Sequence, residues 1–419
     1  MINNSDQQGD FGVFKWRLLL FDILFISAYF VCMSRGFFEI YIGKTSAYVV
    51  QIATWSLFLA ILPLVLEVRW MKVNKSIYAY VTLGFFAFLS SLLTIVMSGF
   101  EYGYIYTSVT MYIAVLLLYG TSVRLKYIKS SNLLDPIMII TLVLVIVAFL
   151  QQLDIIDMPG DSLTEILRPS SITGSYLHYP IVMAILSIIF IQSASILRKK
   201  RYMLMSILCP ISVFISFSRS GMMIIGLSLV FWFIMYLNTL PYKKKISVLQ
   251  IGILLSFILL VIVIIEKNNF FISRFIGAFD TKSEGNDDRT AIWLNGINLL
   301  RYDSLLYGHY TGMYTNVTQN LIGVSSFVLE SGFLQQIVSF GLMGTLAFYA
   351  IIFGVFLSIE KSCIWLKSVV LASVMQSFVY QSTEVFPFIV LISLLPVISS
   401  VINYDLSNRA KKIKVHISL

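Results

Sequence analysis

Long apolar runs, each close to the length that crosses a bilayer, recur along almost the whole chain. They lie at about residues 18–34, 47–66, 77–97, 104–121 and 133–150, and again at about 179–196, 202–217, 221–238, 246–265, 333–357, 367–383 and 386–402. A span takes about 20 apolar residues, because a helix must carry its backbone across about 30 Å of hydrocarbon. The pattern therefore predicts an all-α polytopic membrane protein with about 12 transmembrane helices, one integral domain over 1–419. Two polar stretches are too long for simple turns, at about 151–178 and 266–329. Loops beyond about 15 residues are usually functional or disordered, which makes the second stretch, a large loop, the place to look for chemistry.

Composition agrees with the pattern and excludes a soluble globular protein. Hydrophobic residues make up 58% of the chain and charged residues only 12%, with a mean hydropathy of +0.86. The formal charge of +9 bears first on sidedness, since Lys and Arg are retained on the cytoplasmic side of a membrane. With the N-terminus inside, the inner pieces hold Lys15 and Arg17, then VRWMKVNK, VRLKYIK, RKKR, YKKK, EKSCIWLK and the tail NRAKKIKVH, together 21 of the 30 cations. The nine on the outer side are Arg35, Lys44, Arg168, Arg219, Lys267, Arg274, Lys282, Arg289 and Arg301. The expected topology is N-in and C-in, with both long loops outside. The N-terminal stretch lacks a small-residue cleavage site, so the first apolar run reads as a retained helix. Cys32, Cys209 and Cys363 show no C-x-x-C spacing and suggest neither a disulfide framework nor a zinc site.

The outer side supplies the candidate chemistry. Arg219, in the string SFSRSG, stands between two apolar runs, where a charge must be paired, solvated or reaching for the interface. It is either a snorkelling side chain at a tight turn or an anion site, since a guanidinium grips phosphate oxygens as a fork. Ser218 and Ser220 could add hydroxyl donors. Arg168 in LRPSSITGSYLHYP is a second cation for an anionic headgroup or an interfacial anchor, and His178 beside Tyr179 is a proton carrier or an interfacial residue. In the large loop, NDDRTAIWLNGINLL begins with a helix-start signal and carries Ile292, Trp293, Ile297, Leu299 and Leu300 at roughly helical spacing, which predicts an amphipathic surface helix. GHYTGMY follows as a Gly-punctuated loop with aromatic and hydroxyl groups suited to sugar rings. Asp280, Glu284, Asp287 and Asp288 lack the spacing of a calcium loop and read as a solvated face. Glu330, at the start of ESGFLQQIVSFGLMG, is either a carboxylate stabilised by the positive end of its helix or a base for a hydroxyl nucleophile.

Three of these pieces, in this order, resemble the O-antigen polymerase and ligase superfamily of bacterial surface-polysaccharide enzymes. They are an S-R-(S/G) turn before a span, an outer loop of the form R...W...G-x-G, and a span opening with H/E-x-x-x-L-x-x-x-x-x-x-G-x-x-G. Here they read Ser218, Arg219, Ser220 and Gly221; Arg289, Trp293, Gly308 and Gly312; and Glu330, Leu334, Gly341 and Gly344. The resemblance covers about 168 to 350. It implies a membrane glycosyltransferase of the Wzy type that transfers a glycan from undecaprenyl diphosphate to the non-reducing end of a new lipid-linked repeat unit. The expected setting is the bacterial inner membrane, with the active site facing the periplasm or cell exterior. No cofactor and no metal are expected.

On this resemblance the catalytic candidates are Glu330, Arg219 and Arg289, and the substrate-binding candidates are Arg168, His178, Arg274, His309 and Tyr310. Expected partners are the lipid-linked oligosaccharide, membrane lipid, a chain-length regulator and a flippase, with no nucleic acid. Two departures matter: the G-x-G is stretched to Gly308 and Gly312, and Glu330 stands where ligases carry His, which favours a polymerase. The alternatives are an O-antigen ligase acting on lipid A core and a polysaccharide flippase or other transporter. A transporter predicts short outer loops and ionisable groups deep in several spans, whereas Asp22 is the main mid-span candidate here.

Overall fold

Every regular element among the described residues is helical. The computed structural model describes residues 19–20, 22–66, 76–98, 130–156, 168–241, 244, 246, 286–302, 305–306, 308, 311–315 and 328–417. In chain order the helices are α1 Asp22–Met33, α2 Arg35–Ile42, α3 Lys44–Leu66, α4 Ser76–Ser98, α5 Ser130–Gln152, α6 His178–Leu197, α7 Lys200–Ile215, α8 Arg219–Thr239, α9 Asn286–Tyr302, α10 Gly332–Ser358, α11 Ile364–Val379 and α12 Phe386–Ile417. Two short 3-10 turns, Ser171–Thr173 and Ser382–Glu384, precede α6 and α12.

These labels do not count spans. Among the described residues five helices, α5, α6, α8, α10 and the Phe386–Asn408 part of α12, are long and apolar enough to cross a membrane, or six if α1 and α2 form one broken span bent by 72°. The expected runs at about 104–121 and 246–265 lie outside the described residues. The run expected at 18–34 extends past Ser34 into α2 after a sharp bend, which a hydropathy pattern does not register.

Two helices form the interior. In α6 and α12, 78% and 89% of the apolar window is buried in protein, against 28% in α8 and 39% in α5. Lipid tails are as apolar as Leu, so burial in such a bundle follows from close packing and polar contacts rather than from hydrophobicity. The side chain of Gln192 on α6 accepts the amide of Trp365 at 3.0 Å, and Trp365 stacks on Trp232 of α8 with ring centroids 4.4 Å apart. That stacking joins the start of α11 to the second half of α8. The three cysteines are free and buried.

The bundle has two ends. At one, Arg201 pairs with Asp135 at 2.9 Å, Tyr202 donates to the same carboxylate at 2.7 Å, and Ser130 donates to Asp405. At the other, the starts of α6, α8, α10 and α12 meet the end of α11. Gly221 of α8 packs on the backbone of Pro180 in α6, the Gly332 amide donates to Tyr380 O at 3.0 Å, and the Ser382–Glu384 turn leads directly into α12.

Candidate functional site

The His178 end gathers the predicted site residues that fall among the described ones. Arg219 is the first residue of α8. The turn before it has only three residues: Ser216 closes α7, Phe217 takes a left-handed φ of 51°, and Ser218 is extended. The Ser218 and Ser220 hydroxyls share a hydrogen bond at 2.9 Å, and both residues are buried. A guanidinium at the first position of a helix adds to the partial positive charge of the helix start, so the local field favours an anion. His178 opens α6, two residues before the Pro180 backbone that Gly221 touches, which brings the α6 and α8 starts side by side. Arg168 precedes the same helix, its guanidinium 4.6 Å from the centroid of the Tyr176 ring.

Glu330 stands just before α10 and outside the helix proper. The N-cap is Ser331, whose hydroxyl accepts the Leu334 amide at 3.2 Å and donates to Phe378 O at 2.7 Å. The orphan amide of the first turn is thus met by Ser331, and the Glu330 carboxylate is not needed as the cap. Arg289 lies in the first turn of α9, one turn before Trp293; its side chain lies outside the described residues. Arg274, His309 and Tyr310 also lie outside them. Among the described residues no three His, Cys, Asp or Glu side chains gather as a metal site.

The apolar and glycine positions of the motifs form one docking unit. The expected amphipathic helix spans Asn286–Tyr302, and Ile292, Trp293, Leu299 and Leu300 pack against Leu329, Leu334 and Val338, while Ile297 stays exposed. Gly296 allows this approach, since a Cβ there would lie 2.5 Å from Leu329 and 2.6 Å from Leu334. Helix α10 is then interrupted at Gly341, with φ 67° and ψ 179°, about 14 Å from its start at 1.5 Å per residue.

The large loop enters at this break and is not a surface loop there. Leu305 O accepts the Leu342 amide at 2.8 Å, replacing a helical bond that Gly341 removes. Gly308, itself at φ 63°, lies so close that a Cβ would be 2.6 Å from Gly341 N and 2.7 Å from Ser339 O. Thr311 is fully buried: its amide donates to Thr94 Oγ1 at 2.9 Å, and its hydroxyl contacts Ser90 Oγ at 2.6 Å and Ser339 O at 3.0 Å. Ser90 also donates to Ser339 O. In an apolar bundle a broken helix is tolerable only when its freed backbone groups are met by neighbours, and this loop supplies them. Gly344 lets α4 approach, a Cβ there falling 3.3 Å from Phe86 Cβ.

Sequence reasoning missed one constellation at this end. Arg35 opens α2 and donates through Nε to Glu39 at 2.6 Å and through Nη2 to the Tyr48 hydroxyl. Glu384, in the turn before α12, accepts from Gln335 of α10 at 3.1 Å. The signals available were the run S-R-G-x-x-E directly after the first apolar run, with Arg35 already among the outer cations, and the carboxylate of Glu384 in the short gap between the apolar runs at about 367–383 and 386–402.

Residues 204–349, about a third of the chain, match the family described as O-antigen ligase. That segment contains Arg219, Arg289, Glu330 and the whole docking unit of the loop, and it stops short of Arg168, His178, Arg35 and Glu384. No curated protein matches the chain. The matched segment holds all three motifs by which the chain resembles the O-antigen polymerase and ligase superfamily.

Proposed function

We propose that the chain is a polymerase of surface-polysaccharide repeat units, transferring a glycan from undecaprenyl diphosphate to the non-reducing-end sugar of a second lipid-linked unit. The observation that carries this reading is Arg219 held at a helix start, beside the start of α6, with its two flanking hydroxyls buried. Such a cation is fixed before the reaction and needs no reorganisation as charge develops on a departing diphosphate. The acceptor hydroxyl attacks the anomeric carbon, the bond from that carbon to the diphosphate oxygen breaks, and the hydroxyl proton passes to Glu330. Direct attack inverts the anomeric centre. Arg289, with Arg168 in support, shares the diphosphate charge, and the His178 end of the bundle faces the outer side of the inner membrane.

The name of the matched family favours a second reading, an O-antigen ligase that moves finished chains to lipid A core. Glu330 in place of His favours the polymerase. A deletion strain separates the two by the size of the glycan left on its lipid carrier. Single repeat units are expected; long chains still attached to the carrier would establish the ligase instead.

A further inference from the structure

Two neighbouring glutamines at the end of α5 hold both turns that lead to Arg168 and Arg219. Gln151 is 1% exposed, and its side-chain oxygen accepts the amides of Ser170 at 3.1 Å and Ser171 at 3.0 Å. The side-chain amide of Gln152 donates to Ile215 O at 3.1 Å. Successive residues on a helix point about 100° apart, so one helix end can serve two neighbours. Arg168 lies two residues before the first attachment, and Arg219 four residues after the second.

Each attachment meets a backbone group at a demanding place in the chain. Ile215 is the last residue of α7, and the last carbonyls of a helix have no helical partner. At the other turn Ser171 takes a left-handed φ of 51°, which a residue other than glycine holds only when its surroundings enforce it. Helix α5 enforces it twice. Gln151 takes the Ser171 amide, and the Ser171 hydroxyl donates to Leu144 O at 2.7 Å, two turns back along the same face of α5. Phe217, between Ile215 and Arg219, has the same left-handed φ of 51°, a strained turn for so bulky a residue.

The links from these attachments to the cations are short and stiff. Pro169 stands between Arg168 and Ser170; its ring fixes its own φ and confines the residue before it to extended backbone, and both Pro169 and Ser170 are buried. After Ile215 the chain passes through Ser216, left-handed Phe217 and extended Ser218 directly into Arg219. A shift of the α5 end is therefore carried to the backbone of both arginines.

We infer that Gln151 and Gln152 are positioning residues for the diphosphate donor: they hang the turns of Arg168 and Arg219 from one helix end and so fix where the two cations stand. The inference rests on the proposed reading of these arginines as ligands of the diphosphate. Each glutamine acts through the arginine beyond its own attachment, and cations placed before the donor arrives need little reordering on binding.

The test uses the full-length protein in lipid nanodiscs, undecaprenyl diphosphate as the probe, and double-mutant cycles. Methionine matches glutamine in length but has no N–H to donate and only a weak acceptor. Gln151→Met and Gln152→Met are each expected to weaken binding about threefold to tenfold, the range of a lost hydrogen bond. The further loss should fall below about twofold when Gln151→Met is added to Arg168→Ala, and when Gln152→Met is added to Arg219→Ala. Arg289 remains in both backgrounds, so the weakened binding can still be titrated. A role in general stability alone would give the same loss in every background. Gln152 is only partly buried, so Gln152→Met is the gentler variant and decides the question if Gln151→Met does not accumulate. Unchanged binding in the single variants, or losses that multiply in full with those of the arginines, overturns the inference. The two readings fail separately: an unaltered protein that does not bind undecaprenyl diphosphate removes the donor reading, whereas binding that is present but whose glutamine losses ignore the arginine background removes the positioning role alone.

Discussion

At the Arg201 end of the bundle charged groups satisfy one another near the surface. Arg201, 44% exposed, meets Asp135, and Tyr202 and Ser130 complete simple pairs with Asp135 and Asp405. At the His178 end the arrangement is reversed: buried Gln51, Ser382 and Thr383 keep atoms unpaired among the described residues, and cations sit at helix starts, where the helix field opposes them. The first pattern is what orientation in a membrane needs, since positive loops there act by number rather than by geometry. The second leaves buried polar atoms unpaired among the described residues, which is unfavourable because buried polar groups are nearly always paired.

Substitutions can break or sharpen this contrast. The largest effect is expected for Arg219→Ala, with loss of polymer in a complementation assay and a rate at least about a hundredfold lower in vitro, in line with removal of a fixed charge stabilising a transition state. Glu330→Ala should behave similarly while the protein still accumulates in membranes. If both variants made full-length chains, the chemistry would have to lie elsewhere.

Next in size is Gly308→Ala. Its Cβ would meet the backbone at 2.6–2.7 Å from a left-handed conformation, so we expect roughly 1–3 kcal/mol of lost stability from overpacking, read as a lower unfolding temperature in detergent and as lost polymer. Gly226→Ala, where a Cβ meets nothing within 4 Å, is the matched control and should change stability by no more than about 1 kcal/mol, in the stabilising direction. Thr311→Val removes the hydroxyl that Ser90 and Ser339 share and should destabilise by roughly 1–3 kcal/mol. The smallest effect belongs to the other end: Arg201→Ala should cost less than about 1 kcal/mol, as exposed ion pairs do, and leave polymer length unchanged. A polymer defect from Arg201→Ala would erase the distinction between the ends.

The candidate site residues were legible as motif, but the packing role of the other motif residues was not. Arg219 stood out because a lone charge between apolar runs needs an explanation, and Glu330 because a carboxylate opens a span. Leu334, Gly341, Gly344, Trp293 and Gly308 stood in the sequence only as motif positions, with no role attached to them. Their joint role, holding the large loop against the break in α10, depends on contacts between Ser90, Thr311 and Ser339, which lie far apart in the chain. GHYTGMY read as an exposed aromatic loop because its hydroxyls and glycines are typical of one; Thr311 is buried because the break in α10 offers it a polar partner.

The sequence by itself determined that the chain is a helical membrane protein and where most helices begin and end. That follows because a backbone in hydrocarbon must satisfy its own hydrogen bonds, so each apolar run of sufficient length has one available conformation. Only the tertiary structure decided which helices are central. Helix α5 is the most apolar of the five long helices and lies mostly outside, whereas α6 and α12 are enclosed, because lipid and protein interior are equally apolar and hydropathy cannot rank them. It also decided that α2 meets the turn before α6 and that α3 meets the start of α12. No local pattern joins positions so far apart in the chain; the close approach of Gly36 to Gly174 and of Trp55 to Phe386 does.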